Sequence, residues 1–121
     1  ICSNQALNAL AASVAMTALG KKGVQEMALQ NMQKAHYAKE QLKARGLEIT
    51  FEGPSFNEFV VKLNGSVANA NKELLQNGII GGYDLSKDYP ALSNHMLVAV
   101  TELRTKEEID RFAIELGDIH E

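Results

Sequence analysis

With 121 residues and a net charge of −3, the chain fits one domain that can bury a core without disulfide or metal staples. Hydrophobic residues make up 45% and charged residues 22%, an ordinary globular balance, and the acidic surplus gives no basic field for a nucleic-acid backbone. Cys2 is the lone cysteine, which excludes an internal disulfide and a C-x-x-C metal site and suits a reducing cytoplasm.

The first predicted element is a helix over residues 5–19, rich in alanine, with Leu7, Leu10, Val14, Met16 and Leu19 spread around its circumference. Ser3 or Asn4 supplies its N-cap, and Gly20 is placed to end it in a left-handed conformation. No apolar run reaches the roughly 18 residues needed to span a bilayer, and no basic region precedes the apolar stretch as in a signal peptide. The chain starts at Ile1 and enters this helix almost at once, which is expected of a piece cut from a longer chain. Leu7, Leu10, Val14 and Met16 cannot all face one small sheet, so self-association or unusual exposure of this helix is expected.

A longer amphipathic helix is expected over 23–45. Val24, Ala28, Asn31, Ala35, Ala38 and Leu42 step by fours and threes along one face, and Gly46 is the stop. The period then changes to two. Leu47, Ile49 and Phe51 mark one strand and Phe59, Val61 and Leu63 a second, joined as an antiparallel hairpin across Gly53-Pro54-Ser55 by a loop of about five residues. A helix over 67–76 should turn Val67, Ala70, Leu74 and Leu75 inward, with Gly78 ending it. Ile79 and Ile80 suggest a very short strand before Gly81-Gly82. Residues 82–94 read as a loop pinned by Tyr83, Leu85, Tyr89 and Leu92, since Pro90 blocks a helix interior. Residues 95–102, apolar on both faces, are the central-strand candidate. Thr105 and Glu108 form a capping box for a last helix carrying Ile109, Phe112, Ala113 and Leu116, with Gly117 as its stop. The pattern predicts an α+β domain, a small, mainly antiparallel sheet with helices on one face.

Chemistry is sparse. No nucleotide-binding glycine motif is present, and no helix follows Gly78-Ile79-Ile80-Gly81-Gly82 to aim at a phosphate, so a turn that lets two backbones approach is the better reading. His36, His95 and His120 lack metal-ligand spacing and read as surface or boundary residues. Cys2 reads as a small buried residue. Glu107, Glu108 and Asp110 serve the helix dipole and the cap. Arg104 sits where it could grip a carboxylate, beside the plainer reading of a solvated arginine at a strand end. No lysine stands out as a Schiff-base nucleophile. The residues therefore predict no catalytic, cofactor-binding or metal-binding side chain in this chain.

Several stretches together carry a family likeness. Ile1-Cys2-Ser3-Asn4-Gln5-Ala6-Leu7 resembles the N-I-C-T-N-Q-A-L segment of the glycine dehydrogenases, the P proteins of the glycine cleavage system. Gly78-Ile79-Ile80-Gly81-Gly82-Tyr83-Asp84-Leu85, Asp88-Tyr89-Pro90 and Asn94-His95-Met96-Leu97-Val98 resemble the G-I-x-G-G-Y-D-L…D-Y-P…N-H-x-L-V run of the first-subunit branch. Thr101-Glu102 and Thr105-Lys106-Glu107-Glu108-Ile109-Asp110 fit the closing strand and helix, and the likeness keeps its order from residue 1 to about 116.

The resemblance implies residues 1–121 to be the small C-terminal domain of a fold-type-I pyridoxal-phosphate enzyme, with 5–19 as the helix leading from the large domain. It implies an enzyme that decarboxylates glycine and passes the aminomethyl group to the lipoyl H protein. Pyridoxal phosphate is then expected on the partner, subunit 2, and not in this chain, and neither nucleic acid nor membrane is an expected partner. The alternative is a stand-alone α+β ligand- or partner-binding module. A small independent enzyme using Arg104, Asp84 and His95 has least support, because nothing in the sequence places those groups together.

Overall fold

A computed structural model describes residues 4–120. The helix α1 spans Ala6–Ala44, so the two expected helices are joined end to end. They meet at Gly20, whose φ of 65° and ψ of 177° leave the helical region for one residue. The positive φ is as expected, but the conformation is not left-handed helical, and the helix resumes at once with no loop. Glycine permits that break because it has no Cβ to clash. Asn4 Oδ1 accepts from the Ala6 N–H (2.9 Å), but the N-cap position itself falls to Gln5, which makes no side-chain cap bond, so Asn4 is not the cap as expected. Ser3, the other expected cap, lies outside the described residues. Gly46, with φ of 83°, closes the helix.

Four strands follow, β1 (Glu48–Ile49), β2 (Glu58–Lys62), β3 (Tyr83–Asp84) and β4 (His95–Ala99), in the order β1-β2-β4-β3 and antiparallel throughout. The helices α2 (Val67–Gln76) and α3 (Lys106–His120) complete the fold, with 3-10 turns at Leu85–Lys87 and Pro90–Leu92. Phe59, Val61 and Leu63 share one face of the sheet with Met96, Val98 and Val100, as the alternation of strand side chains requires. Against that face pack Ala35, Ala38 and Leu42 of α1, Val67, Ala70 and Leu74 of α2, and Ile109, Ala113 and Leu116 of α3. The expected α+β architecture with helices on one face is what forms. Burial of Leu42, Leu74, Met96 and Leu116 is essentially complete, each side chain contributing about 1.5–3 kcal/mol.

α1 divides into two parts. Every described residue up to Lys22 is exposed, and Leu7 keeps 77% of its surface in solvent. The buried face begins only at Asn31 and continues through Ala35, Ala38 and Leu42. Small alanines there let α3 approach closely. Polar contacts fix the crossing. Tyr37 donates to Asp110 Oδ1 (2.5 Å), Lys106 Nζ reaches Asp110 Oδ2 (2.6 Å), and the same ammonium lies 5.1 Å from the Tyr37 ring centre. The Lys106 ammonium and then the Tyr37 hydroxyl hold the Asp110 carboxyl below its ordinary range. Further along, Asn31 Nδ2 donates to Glu102 Oε2 (2.9 Å) and Lys34 to the Glu102 carbonyl, tying the turn after β4 to α1.

Several sequence expectations need correction. Phe51 is outside the first strand and exposed: Thr50 N–H still bonds Val60 O (3.0 Å), but Gly53-Pro54 then lead the chain away from the edge. The connection therefore runs from Thr50 to Asn57 and is longer than expected. Leu75 is exposed, because the inward stripe of α2 is Val67, Ala70 and Leu74 and Leu75 lies about 100° around the helix from it. Ile79-Ile80 is not a strand; pairing begins at Tyr83, and Ile80 is 90% exposed. β4 ends at Ala99, short of residue 102, where the chain turns toward α3. Gly117 does not stop α3. It is buried within the helix, where a Cβ would lie 3.1 Å from Arg45 Cβ, so it is there for the close approach of α3 to the end of α1.

The close backbone approach expected of Gly78–Gly82 is found at Gly82, although residues 81–82 do not themselves form a turn. A Cβ on Gly81 would lie 2.2 Å from Asn71 Oδ1, and one on Gly82 would lie 2.3 Å from Leu97 O and 2.4 Å from Met96 Cγ. The strip is clamped between α2 and β4, and Asn71 Nδ2 donates to Gly82 O (2.8 Å). Gly82→Ala should cost about 1–3 kcal/mol, read as a lowered urea midpoint. Gly65→Ala, with nothing within 4 Å of its added Cβ, should change stability by no more than about 0.5 kcal/mol. Equal effects at the two positions would refute the clamp.

Candidate functional site

The glycine strip delivers two surfaces, one at each end of β4. At the start of β4 lies the 83–94 segment. Asp84 accepts from Ser86 N (3.0 Å) and Ser86 Oγ (2.7 Å), which starts the first 3-10 turn. The Ser86 hydroxyl, as the larger cause, holds the Asp84 carboxyl below its ordinary range. Leu85 is buried and pins the segment, as expected, while Tyr83 and Tyr89 remain exposed. The Tyr83 hydroxyl donates to Asp88 Oδ2 (2.8 Å), and Lys87 Nζ lies 5.5 Å from the Tyr83 ring centre. That hydrogen bond to Asp88 is the main cause raising the Tyr83 phenol above its ordinary value.

His95 is 9% exposed, more buried than a surface or boundary residue was expected to be. Its Nδ1 is 2.8 Å from Ser93 O, and because a carbonyl only accepts, Nδ1 is the donor in that contact. His36 is exposed, and His120 meets Asn64 through Nδ1 and its carbonyl. Cys2 lies outside the described residues. Among those residues no cluster of histidine, cysteine and carboxylate side chains could hold a metal ion, and no helix is long and apolar enough to cross a membrane.

At the opposite end of β4 is a cavity of about 330 Å³. Ile79, Val100, Ile109 and Phe112 give it apolar walls; Arg104, Arg111 and Glu108 supply charge. Arg104 faces Glu108 at 3.7 Å, both side chains being about half exposed, and Arg111 donates to the Asn77 carbonyl. Glu108 completes the expected capping box: Thr105 N–H donates to Glu108 Oε2 (2.9 Å) and Glu108 N–H to Thr105 Oγ1 (3.2 Å). Arg104 lines this cavity from the turn after β4, with its side chain still half exposed, so it remains solvated as well as facing Glu108. Arg111 had no sequence signal, because its place depends on the packing of α3 beside the end of α2. Asp84 and His95 sit at the other end of β4, so the structure does not unite them with Arg104.

The profile of the glycine cleavage system P-protein family matches residues 1–116. The chain belongs to that family. The probable glycine dehydrogenase (decarboxylating) subunit 1 of Bacillus licheniformis is 71% identical over 121 residues, which is all of this chain and 27% of the relative. The protein of the same description from Bacillus subtilis is 66% identical over the same span. The chain therefore spans about a quarter of the length of the curated relatives it matches. Among solved structures, a P-protein glycine decarboxylase in inhibitor-bound form superposes with a TM-score of 0.85 at 27% identity, over 98% of this chain and 27% of that one. An archaeal O-phosphoseryl-tRNA(Sec) selenium transferase shares the fold, with a TM-score of 0.66 at 12% identity over 83% of this chain and 26% of that one. P-protein architecture thus includes this sheet and its helices as one part of a longer chain in those relatives.

The Tyr83–Asp88 bond gives a direct readout of the 83–94 segment. Asp88→Asn should lower the Tyr83 phenol back toward its ordinary value, because the carboxylate that favours the neutral phenol is gone. Tyrosinate absorbance in an alkaline titration, with Tyr83→Phe to assign the curve, checks this. An unchanged Tyr83 titration would show that the bond does not order the segment.

Proposed function

We propose that this chain is the small C-terminal domain of subunit 1 of a two-subunit glycine dehydrogenase (decarboxylating), and that it supports glycine decarboxylation without doing chemistry itself. The end-to-end match to about a quarter of subunit 1 relatives, near 70% identity, carries this reading. In it, residues 5–19 are the helix leading from the large domain. The exposed apolar residues of that helix support the assignment, since the rest of the subunit would cover them. Self-association of the isolated chain through the same helix belongs to this proposal.

Partners and cofactor follow in the same reading. The immediate partner is subunit 2, the lipoyl H protein is reached through the complex, and the complex works in the cytoplasm. Pyridoxal phosphate serves the parent enzyme from the partner subunit. The residues of this chain do not fit a site for it. No lysine lines the cavity. The two half-buried lysines are already engaged, Lys34 by the Glu102 carbonyl and Lys39 by Ser55 Oγ (2.9 Å). The catalytic lysine and the acid–base groups are accordingly assigned elsewhere in the enzyme.

The 83–94 segment is the part of this chain assigned to subunit or domain contact. Exposed Tyr83 and Tyr89 give amphipathic area of the kind enriched at interfaces, held in place by Leu85. The test uses the two-subunit enzyme with Tyr83→Ala or Asp84→Ala. Assembly should weaken, and glycine turnover should recover at high subunit concentration. Intact assembly with collapsed turnover would give this segment a role in chemistry and defeat the reading. No change in either would reduce the segment to local packing.

A further inference from the structure

We propose that the cavity beyond the end of β4 binds a free α-amino acid with an apolar side chain. The first support is an unpaired strand edge. Val100 N–H donates to Asn57 O (2.9 Å) and Leu63 N–H to Asn94 O (2.8 Å). In the register that places Glu58 opposite Ala99, these bonds fix the even-numbered residues of β4 as the ones paired to β2. Leu97 and Ala99 therefore turn their N–H and C=O groups toward β3. Leu97 meets Tyr83 there, but the chain at Gly81 does not pair with Ala99. Among the described residues Ala99 has no backbone partner on that side, and Ala99 lines the cavity. The wall thus offers one donor and one acceptor side by side.

The second support is charge of both signs over an apolar floor. Arg104 and Arg111 suit a carboxylate, and Glu108 with the Ala99 carbonyl suits an ammonium. Arg104 and Glu108 are 3.7 Å apart and half exposed, a loose pair of the kind that contributes little and yields to a better partner. A plain carboxylate would leave Glu108 and the Ala99 carbonyl unmatched, and a plain amine would leave the arginines so. A zwitterion answers both. Its side chain would lie against Ile79, Val100, Ile109 and Phe112, and the volume of about 330 Å³ is within the range of small-ligand sites. The site is at the opposite end of β4 from His95 and the 83–94 segment, so it does not depend on the proposed role in glycine turnover.

The test is titration of the full-length protein with L-phenylalanine and L-leucine, followed by calorimetry and isoleucine-methyl NMR. Saturable binding is expected, with Ile79, Ile80 and Ile109 methyls shifting and Ile49 unmoved. Phenylacetate and benzylamine, each keeping one charge, should bind at least about tenfold more weakly. Arg104→Gln should weaken phenylalanine by at least about tenfold and Arg104→Lys should restore part of the loss. The unchanged methyl spectrum of each free variant shows that it folds. The proposal is overturned if no methyl near the cavity moves at saturating amino acid, if phenylacetate binds as tightly as phenylalanine, or if Arg104→Gln has no effect. An acidic extended peptide that moves these methyls when free amino acids do not would assign the cavity to a polypeptide and overturn it too.

Discussion

Gly82 lies so close to β4 that a Cβ there would meet the Leu97 carbonyl oxygen at 2.3 Å, and Gly81 lies against the Asn71 and Leu74 side chains of α2. The β3 end of the sheet depends on that contact. It seats β3 against Leu97 and Met96 and thereby starts the 83–94 segment at a fixed point. Just before β3, residues 78–81 run unpaired past Ala99 and line the cavity with it. Asn71 shows how close the fit is. Its amide nitrogen bonds Gly82 O, while its buried Oδ1 has no protein partner beside the place where a Gly81 Cβ would be. The glycines are needed here for steric reasons and not for positive φ, which occurs instead at Gly20, Gly46 and Gly78.

The sequence was most legible where one periodicity ran without competition. The bounds of α2, the capping box of α3 and the buried face of α1 from Asn31 to Leu42 follow from spacing and cap chemistry. Legibility failed where a residue answers to a distant neighbour. Gly117 looks like a helix stop until Arg45 is placed beside it. Phe51 continues the alternation of its strand, but an edge strand two residues long cannot hold it once Gly53-Pro54 redirect the chain. Leu75 is apolar in a helix that needs only one narrow stripe.

The two candidate surfaces were legible to different degrees. The 83–94 segment is partly visible in composition: Leu85 anchors it as expected, whereas Tyr83 and Tyr89, expected to pin it too, are exposed. Its hydrogen bonds, Tyr83 to Asp88 and Ser86 to Asp84, are local. The cavity was not visible. It draws Gly78–Gly81, the end of β4 and one side of α3 together, and the unpaired edge at Ala99 appears only when strand register is known. Arg104 was singled out beforehand for its reach to a carboxylate, while Glu108 was read only as a helix cap and Gly78–Gly81 only as part of a turn.

Membership of the P-protein family and the exposed N-terminal part of α1 are what the proposal of a supporting domain in a larger enzyme rests on. Its proposed part is to hold the 83–94 surface rigid against the rest of the assembly. The most direct test is to assemble the two-subunit enzyme with pyridoxal phosphate, reduce it with borohydride and map the modified lysine by peptide mass spectrometry. A pyridoxyl group on subunit 2 is the expected result. A pyridoxyl group on a lysine of this chain would contradict the supporting role.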